Sequence, residues 1–323
     1  MSTDERPAKR AREDSDSQPT IIRSPDYWFD DGSIILQVET TQFRVGKSLL
    51  AMHSTVFRDM LSVPLPADEP LVDGCPVVVL AGDKADDWMD LLDVIYPKSC
   101  FLNHVPTIRS LGAVLRLTKK YDIPSFRAEC LVRLKSEFPT EFDAYNKVRT
   151  TWTNISPSAS TLRTHMAVIA LAREMGLYSV LPTAFYGIIG VAAPDKYGIF
   201  SPGFSSLADN DRATCLAGYA ATLVQWTQTT PHKWLESVPS AGCSARSACE
   251  TARKDRLLEL GQNVSVIVAV LDHWDKAAGL KFCSSCRAHG KEIFNTTQKE
   301  CWDKLPSYFG LPPWEELRKM DFE

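Results

Sequence analysis

Apolar residues first alternate along this chain and later recur at helical spacing. Ile34, Leu36 and Val38 fall on one face of the run from Ser33 to Glu39, the period of a half-buried strand. Glu39 to Gln42 reads as a polar link, after which Phe43 and Val45 resume the alternation on a second, paired strand. From Lys47 the period lengthens. Leu49 and Leu50 sit on a short helical piece, and Ser54 is placed to cap a second one. On that second piece Val56, Phe57 and Met60 share an apolar face. Pro64, Pro66, Pro70 and Pro76 make a loop of the stretch from Val63 to Pro76. Val77-Val78-Val79-Leu80 is continuously apolar, the pattern of a strand buried on both faces. Trp88, Leu91, Leu92 and Ile95 then mark a helix, and Ile108, Leu111 and Leu115 mark another that ends near Tyr121. A third opens at Pro124 and carries Phe126, Cys130, Leu131, Leu134 and Phe138 on one side.

From Thr140 onward no strand pattern recurs. Leu162, Met166, Ile169 and Ala170 form one helical stripe, and Leu216, Tyr219, Leu223 and Trp226 form another. The longest joins Leu257, Leu260, Val264, Ile267, Leu271, Trp274 and Ala278 at spacings of 3 and 4. Its small and β-branched residues fit the core helix of a bundle better than a coiled-coil seam. Glycines and prolines from Gly187 to Pro202 predict a loop or broken helix. The tail from Trp302 to Leu317 ends in a short helix that starts at proline.

Residue identities go further than periodicity. Phe43-Arg44-Val45-Gly46-Lys47-Ser48-Leu49-Leu50-Ala51 and Ser54-Thr55-Val56-Phe57-Arg58-Asp59-Met60-Leu61 resemble the signature of the BTB/POZ domain. The opening Tyr27-Trp28-Phe29-Asp30-Asp31-Gly32, the strand from Gly74 to Val79 and the helix end Leu117 to Ile123 resemble the BTB proteins of basidiomycete fungi in particular. The tail resembles those proteins too, so the likeness extends more weakly over the whole chain. The family usually has His-Arg where this chain has Gly46-Lys47, so contacts made there through an imidazole do not carry over. The resemblance implies an α/β BTB/POZ fold over 25–139, a small mixed sheet with a helix cluster. An all-α C-terminal domain follows over 140–323.

The 323 residues leave room for about two domains. Hydrophobic residues make up 44% and charged residues 24%, as in ordinary globular chains, and a net charge of −4 offers no general attraction to nucleic acid or anionic membrane. Residues 1–22 have the polar, charged composition of a disordered leader without a signal peptide. Within it Lys9-Arg10-Ala11-Arg12 is a short basic group, read either as a nuclear-import signal or as a solvated tail. Nine cysteines without a secretion signal read as reduced thiols of the cytoplasm or nucleus.

Catalytic motifs are absent from the sequence: there is no phosphate-binding glycine loop, His-Glu-x-x-His or Gly-x-Ser-x-Gly. The six histidines share no i, i+4 spacing, and His289, three residues after Cys286, reads as a loop histidine. The one metal-like pattern is Cys283-Ser284-Ser285-Cys286 with Cys243 and Cys249 upstream. A continuous helix of about 30 residues between the pairs would separate them by about 45 Å. A reversal near Gly261-Gln262-Asn263 would let them meet around one zinc. The unbroken stripe favours the continuous helix, so no catalytic, cofactor-binding or metal-binding residue is assigned and no cofactor is expected. The resemblance implies a non-enzymatic interaction protein that recruits or scaffolds a protein partner. The alternatives are a substrate adaptor of a cullin-based ubiquitin ligase and a transcription-regulator component. In dimerising relatives an acidic and a basic residue pair at the positions of Ser33 and Lys47. With serine at the first of them, self-association by that face is expected to be weak, and contact is left to Trp28 and Phe29.

Overall fold

Five strands, β1 (Ile22–Trp28), β2 (Ile34–Val38), β3 (Thr41–Val45), β4 (Leu71–Val72) and β5 (Cys75–Val79), form a mixed sheet in the order β1-β3-β2-β5-β4. The computed structural model describes residues 20–66, 71–97, 105–157, 160–191, 204–228, 231–262, 270–274 and 281–321. The basic group Lys9 to Arg12 lies outside them. β1 opens at Ile22, inside the span expected as leader, and runs parallel to β3.

The expected hairpin is antiparallel, with Ile34 opposite Val45 and Val38 opposite Thr41. Ile34, Leu36, Val38, Phe43 and Val45 are fully buried, and so is Ile35 on the opposite face of β2. The polar link is shorter than the sequence suggests. Thr41 and Gln42 belong to β3, and Glu39 turns the chain at φ 51°. Asp73 and Gly74, at φ 48° and 75°, make the tight turn that joins β4 to β5. Two expectations fail at β5. Pro76 is inside the strand, opposite Leu71 of β4 and one residue before the pairing with β2 begins at Val77. Val79 is 66% exposed rather than doubly buried, because β4 pairs only with Cys75 and Pro76 and ends there.

Helices α1 (Lys47–His53), α2 (Thr55–Ser62) and α3 (Ala85–Ile95) belong to the same compact unit as the sheet, which runs to Lys98 and takes in Tyr121–Ile123. Glu39 Oε2 accepts from the Ala85 N–H at 3.0 Å and so caps α3 from the hairpin turn. Ser54 caps α2 as its position predicts. Its Oγ accepts from the Phe57 N–H at 3.0 Å, and its hydroxyl donates to the Tyr121 carbonyl. The Tyr121 ring stacks on Phe57 at 5.0 Å, and Trp88 sets its edge against both. Ser54→Ala removes the cap and the hydrogen bond to the Tyr121 carbonyl. We expect a loss of about 2 kcal/mol in denaturant unfolding; a loss below about 0.5 kcal/mol would contradict the double role.

The second unit holds Ser99–Lys120 and Pro124–Glu323. Its helices are α4 (Ile108–Lys120), α5 (Pro124–Glu137), α6 (Phe142–Val148), α7 (Thr161–Met175), α8 (Leu181–Val191), α9 (Asp209–Gln228), α10 (Arg246–Gln262), α11 (Ser284–Tyr308) and α12 (Trp314–Met320). The apolar faces of α4 and α5 lie where the spacing puts them, but they are buried here. Ile108, Leu111, Leu115, Leu134 and Phe138 share one core with Met166, Ile169, Leu181 and Phe185.

Several stripes are corrected. Of the stretch expected as a loop or broken helix, Gly187 and Gly190 lie inside α8, and 192–202 lie outside the described residues. On α7, Met166 and Ile169 face inward while Ala170 is exposed. On α9, Leu216 is exposed, and Cys215, Gly218 and Thr222 face the core. Small residues are needed there because Phe309 lies against the helix: a Cβ on Gly218 would come within 2.1 Å of its ring. The long stripe does not form one helix. α10 carries Leu257, which is exposed, and Leu260, which is buried. Leu271 lies in a turn, its N–H bonded to Tyr186 Oη at 3.0 Å. Val264, Ile267 and Ala278 lie outside the described residues.

Candidate functional site

Two features stand apart from ordinary core packing, an exposed apolar stripe on α1 and α2 and a cluster of thiols at the start of α10 and α11. The first follows from helical geometry. Residues i and i+4 project the same way, whereas i+1 lies about 100° round the axis. The face expected to join Val56, Phe57 and Met60 is therefore split. Phe57 turns inward against Trp88 and Tyr121, and Val56 and Met60 turn out. Met52 before them and Val63 and Leu65 after them are exposed as well, each with 36% to 65% of its surface accessible. Lys47 is exposed, pointing to solvent. Its backbone N–H is held by Ser33 Oγ at 3.1 Å, which opens α1 in place of a side chain on Gly46. Trp28 and Phe29 are half-buried; Arg23 lies over the Trp28 ring at 4.4 Å, and Phe29 packs on Tyr96 at 4.9 Å.

The second feature reverses an expectation about the chain path. By Cys283 the chain has come back to the beginning of α10, and the two cysteine pairs meet. Cys243 precedes α10, Cys249 lies in its first turn, Cys283 is the N-cap of α11, and Cys286 lies in its first turn. The four Sγ atoms all lie within 4.8 Å of one another, with Cys243 and Cys283 at 3.8 Å. Cys249 and Cys286 are buried, and the other two are partly accessible. Backbone and hydroxyl donors aim at the sulfurs. The Cys283 N–H reaches Cys249 Sγ at 3.3 Å, and the Ser240 N–H and Oγ each reach Cys286 Sγ at 3.4 Å. The backbone N–H groups of Cys286 and Ser244 hold the Cys283 thiol down at about 5. Burial and the neighbouring thiols push Cys243 up to about 12. His289 is in α11, not a loop, and is exposed.

A small core of its own surrounds these thiols. Trp234, Leu235 and Val238 pack with Ala252, Leu260, Phe282 and Phe294 around Cys249 and Cys286. Trp234 sits so close to α11 that a Cβ on Gly290 would come within 2.6 Å of its ring. The cysteine spacing was the only sequence signal for this site; the apolar stripe had a signal, but it was assigned to the core.

Comparison with known proteins bears on the sheet-bearing part of the chain. The family model of the BTB/POZ domain matches residues 31–137. No curated protein matches the chain.

Proposed function

We propose that this protein, with its BTB/POZ domain at residues 31–137, recruits or scaffolds a protein partner through that domain and has no catalytic role of its own. The BTB/POZ domain is a general protein–protein interaction module and is not a catalytic one. The observation that carries the reading is the exposed apolar face of Val56 and Met60 on α2, with Met52, Val63 and Leu65 also exposed in the flanking chain. Apolar residues grouped on one surface mark contact sites, and methionine suits them because its flexible thioether adapts to a partner. The carboxylate partner that a dimerising face would need is missing at Ser33, and Lys47 stands in solvent. Self-association through that pair is therefore weak, and the stripe takes a different protein. The protein works in the cytoplasm or nucleus with its thiols reduced. Among the described residues no helix is long and apolar enough to cross a membrane.

The test is capture from cell lysate, with the native chain compared against a Val56→Asp/Met60→Asp variant. Both positions are exposed, so the variant should keep the native circular dichroism and melting transition. We expect it to lose at least tenfold of the captured partner, about 1.4 kcal/mol. Equal capture by the two proteins would contradict the reading. A cullin among the proteins lost would make the molecule a ligase adaptor.

A further inference from the structure

The geometry points to a structural zinc ion held by Cys243, Cys249, Cys283 and Cys286, clasping the beginnings of α10 and α11 together.

Distance carries the first part of the argument. Zinc–thiolate bonds of about 2.3 Å in a tetrahedron put the sulfurs about 3.8 Å apart. Cys243 and Cys283 are 3.8 Å apart, and the whole set lies within 4.8 Å. A disulfide would need about 2.05 Å, so the four are spaced as ligands of one ion and not as oxidised pairs. Four soft sulfurs in this arrangement suit zinc, a d¹⁰ ion that takes tetrahedral sites without strain. Four protein ligands leave no open position for water or substrate, so the ion would be structural and not catalytic.

The surroundings carry the second part. Thiolates need donors and positive potential. Both α10 and α11 direct their N-termini at the cluster, where free N–H groups and the helix dipole favour negative charge. The donors from Cys283 and Ser240 fix individual sulfurs, as the outer hydrogen bonds of metal ligands do. Finally, the apolar core around the thiols is small, and small cores commonly take metal to become stable. The clasp is not the closure of a simple helical hairpin. Two helix beginnings meet, and α10, about 25 Å long by its 17 residues, extends away from the metal.

The experiment uses the full chain expressed in zinc-supplemented medium, desalted, and measured by elemental analysis and zinc-edge X-ray absorption. The expected result is about one zinc per chain with four sulfur neighbours at about 2.3 Å. Cys283→Ser and Cys243→Ser should each lower the zinc content at least fivefold, while Cys215→Ser and Cys301→Ser, outside the cluster, keep it. Because loss of a ligand also removes support from the small core, the intact protein supplies a second measurement. Displacing the metal with a mercurial should expose these four thiols and release one zinc in step, with loss of Trp234 and Trp274 fluorescence anisotropy. The proposal is overturned by a folded chain without zinc, by iron in its place, by a nitrogen neighbour such as His289, or by disulfides among the four.

Discussion

Asp321→Ala should destabilise the larger helical core by about 3 kcal/mol, one of the two largest single-residue effects expected here. The Asp321 side chain is fully inaccessible. Its carboxylate accepts from the Ser179 N–H at 2.9 Å and from the Ser179 hydroxyl at 2.6 Å, and it pairs with Lys135 Nζ at 2.9 Å. Ser179 lies in the 3-10 turn Tyr178–Val180 between α7 and α8, and Lys135 is on α5. One carboxylate thus pins the end of the tail to two other elements. The tail itself is packed: Trp314 stacks on Trp302 at 4.9 Å and donates its Nε1–H to the Trp302 carbonyl at 2.9 Å. Removing the carboxylate leaves the Ser179 N–H buried without its acceptor and Lys135 without this counter-charge. Breaking a fully buried pair costs about 3–5 kcal/mol; the figure here is set at the low end because Lys135 is partly solvated. Urea unfolding followed by circular dichroism measures it, and Asp321→Asn, which keeps an acceptor, should cost less than half as much. A change below about 1 kcal/mol in Asp321→Ala would show that the tail is held by its tryptophans alone.

Gly187→Ala should cost about 2–3 kcal/mol by overpacking. A Cβ at this position would lie 1.9 Å from Nε2 of His165, so the two cannot coexist as placed. The imidazole has little room to withdraw. Nδ1 bonds to the Thr161 carbonyl at 2.8 Å, and the ring stands edge-on to Phe138 and Trp152 at 5.8 and 5.4 Å. Burial lowers the His165 pKa, so it stays neutral and acts as a packing residue that donates one hydrogen bond. The check is a double-mutant cycle. His165→Ala creates space of its own, and Gly187→Ala on that background should cost at least 1 kcal/mol less than in the native chain. Equal costs on both backgrounds would mean that α8 shifts freely away from α7.

By itself the sequence determined whatever depends on neighbours a few residues apart. The β2–β3 hairpin, the Ser54 cap, the buried faces of α3 and α4 and the proline starts of α5 and α12 follow from local period and capping chemistry. The residues that resemble a BTB/POZ domain lie in that same stretch. Tertiary structure decided what depends on distant contacts. Gly187 and Gly190 fall in a stretch that reads as a loop or broken helix, yet both lie in α8, and at Gly187, as at Gly218 and Gly290 in α9 and α11, a distant aromatic or histidine ring fills the space of a side chain. Val56 and Met60 have the spacing of core residues, but a helix face is assigned to core or solvent only by what packs against it. The thiol cluster is the clearest case. Its spacing was visible, but the apolar stripe across Gly261 predicted a straight helix that would hold the pairs apart. Period measures the direction in which side chains point and is blind to whether the backbone continues. Leu271 lies in a turn and not on a continuous helix, and Cys283 returns beside Cys249 within a core that includes Trp234, an outcome that the local turn signal at Gly261 to Asn263 allowed but did not decide.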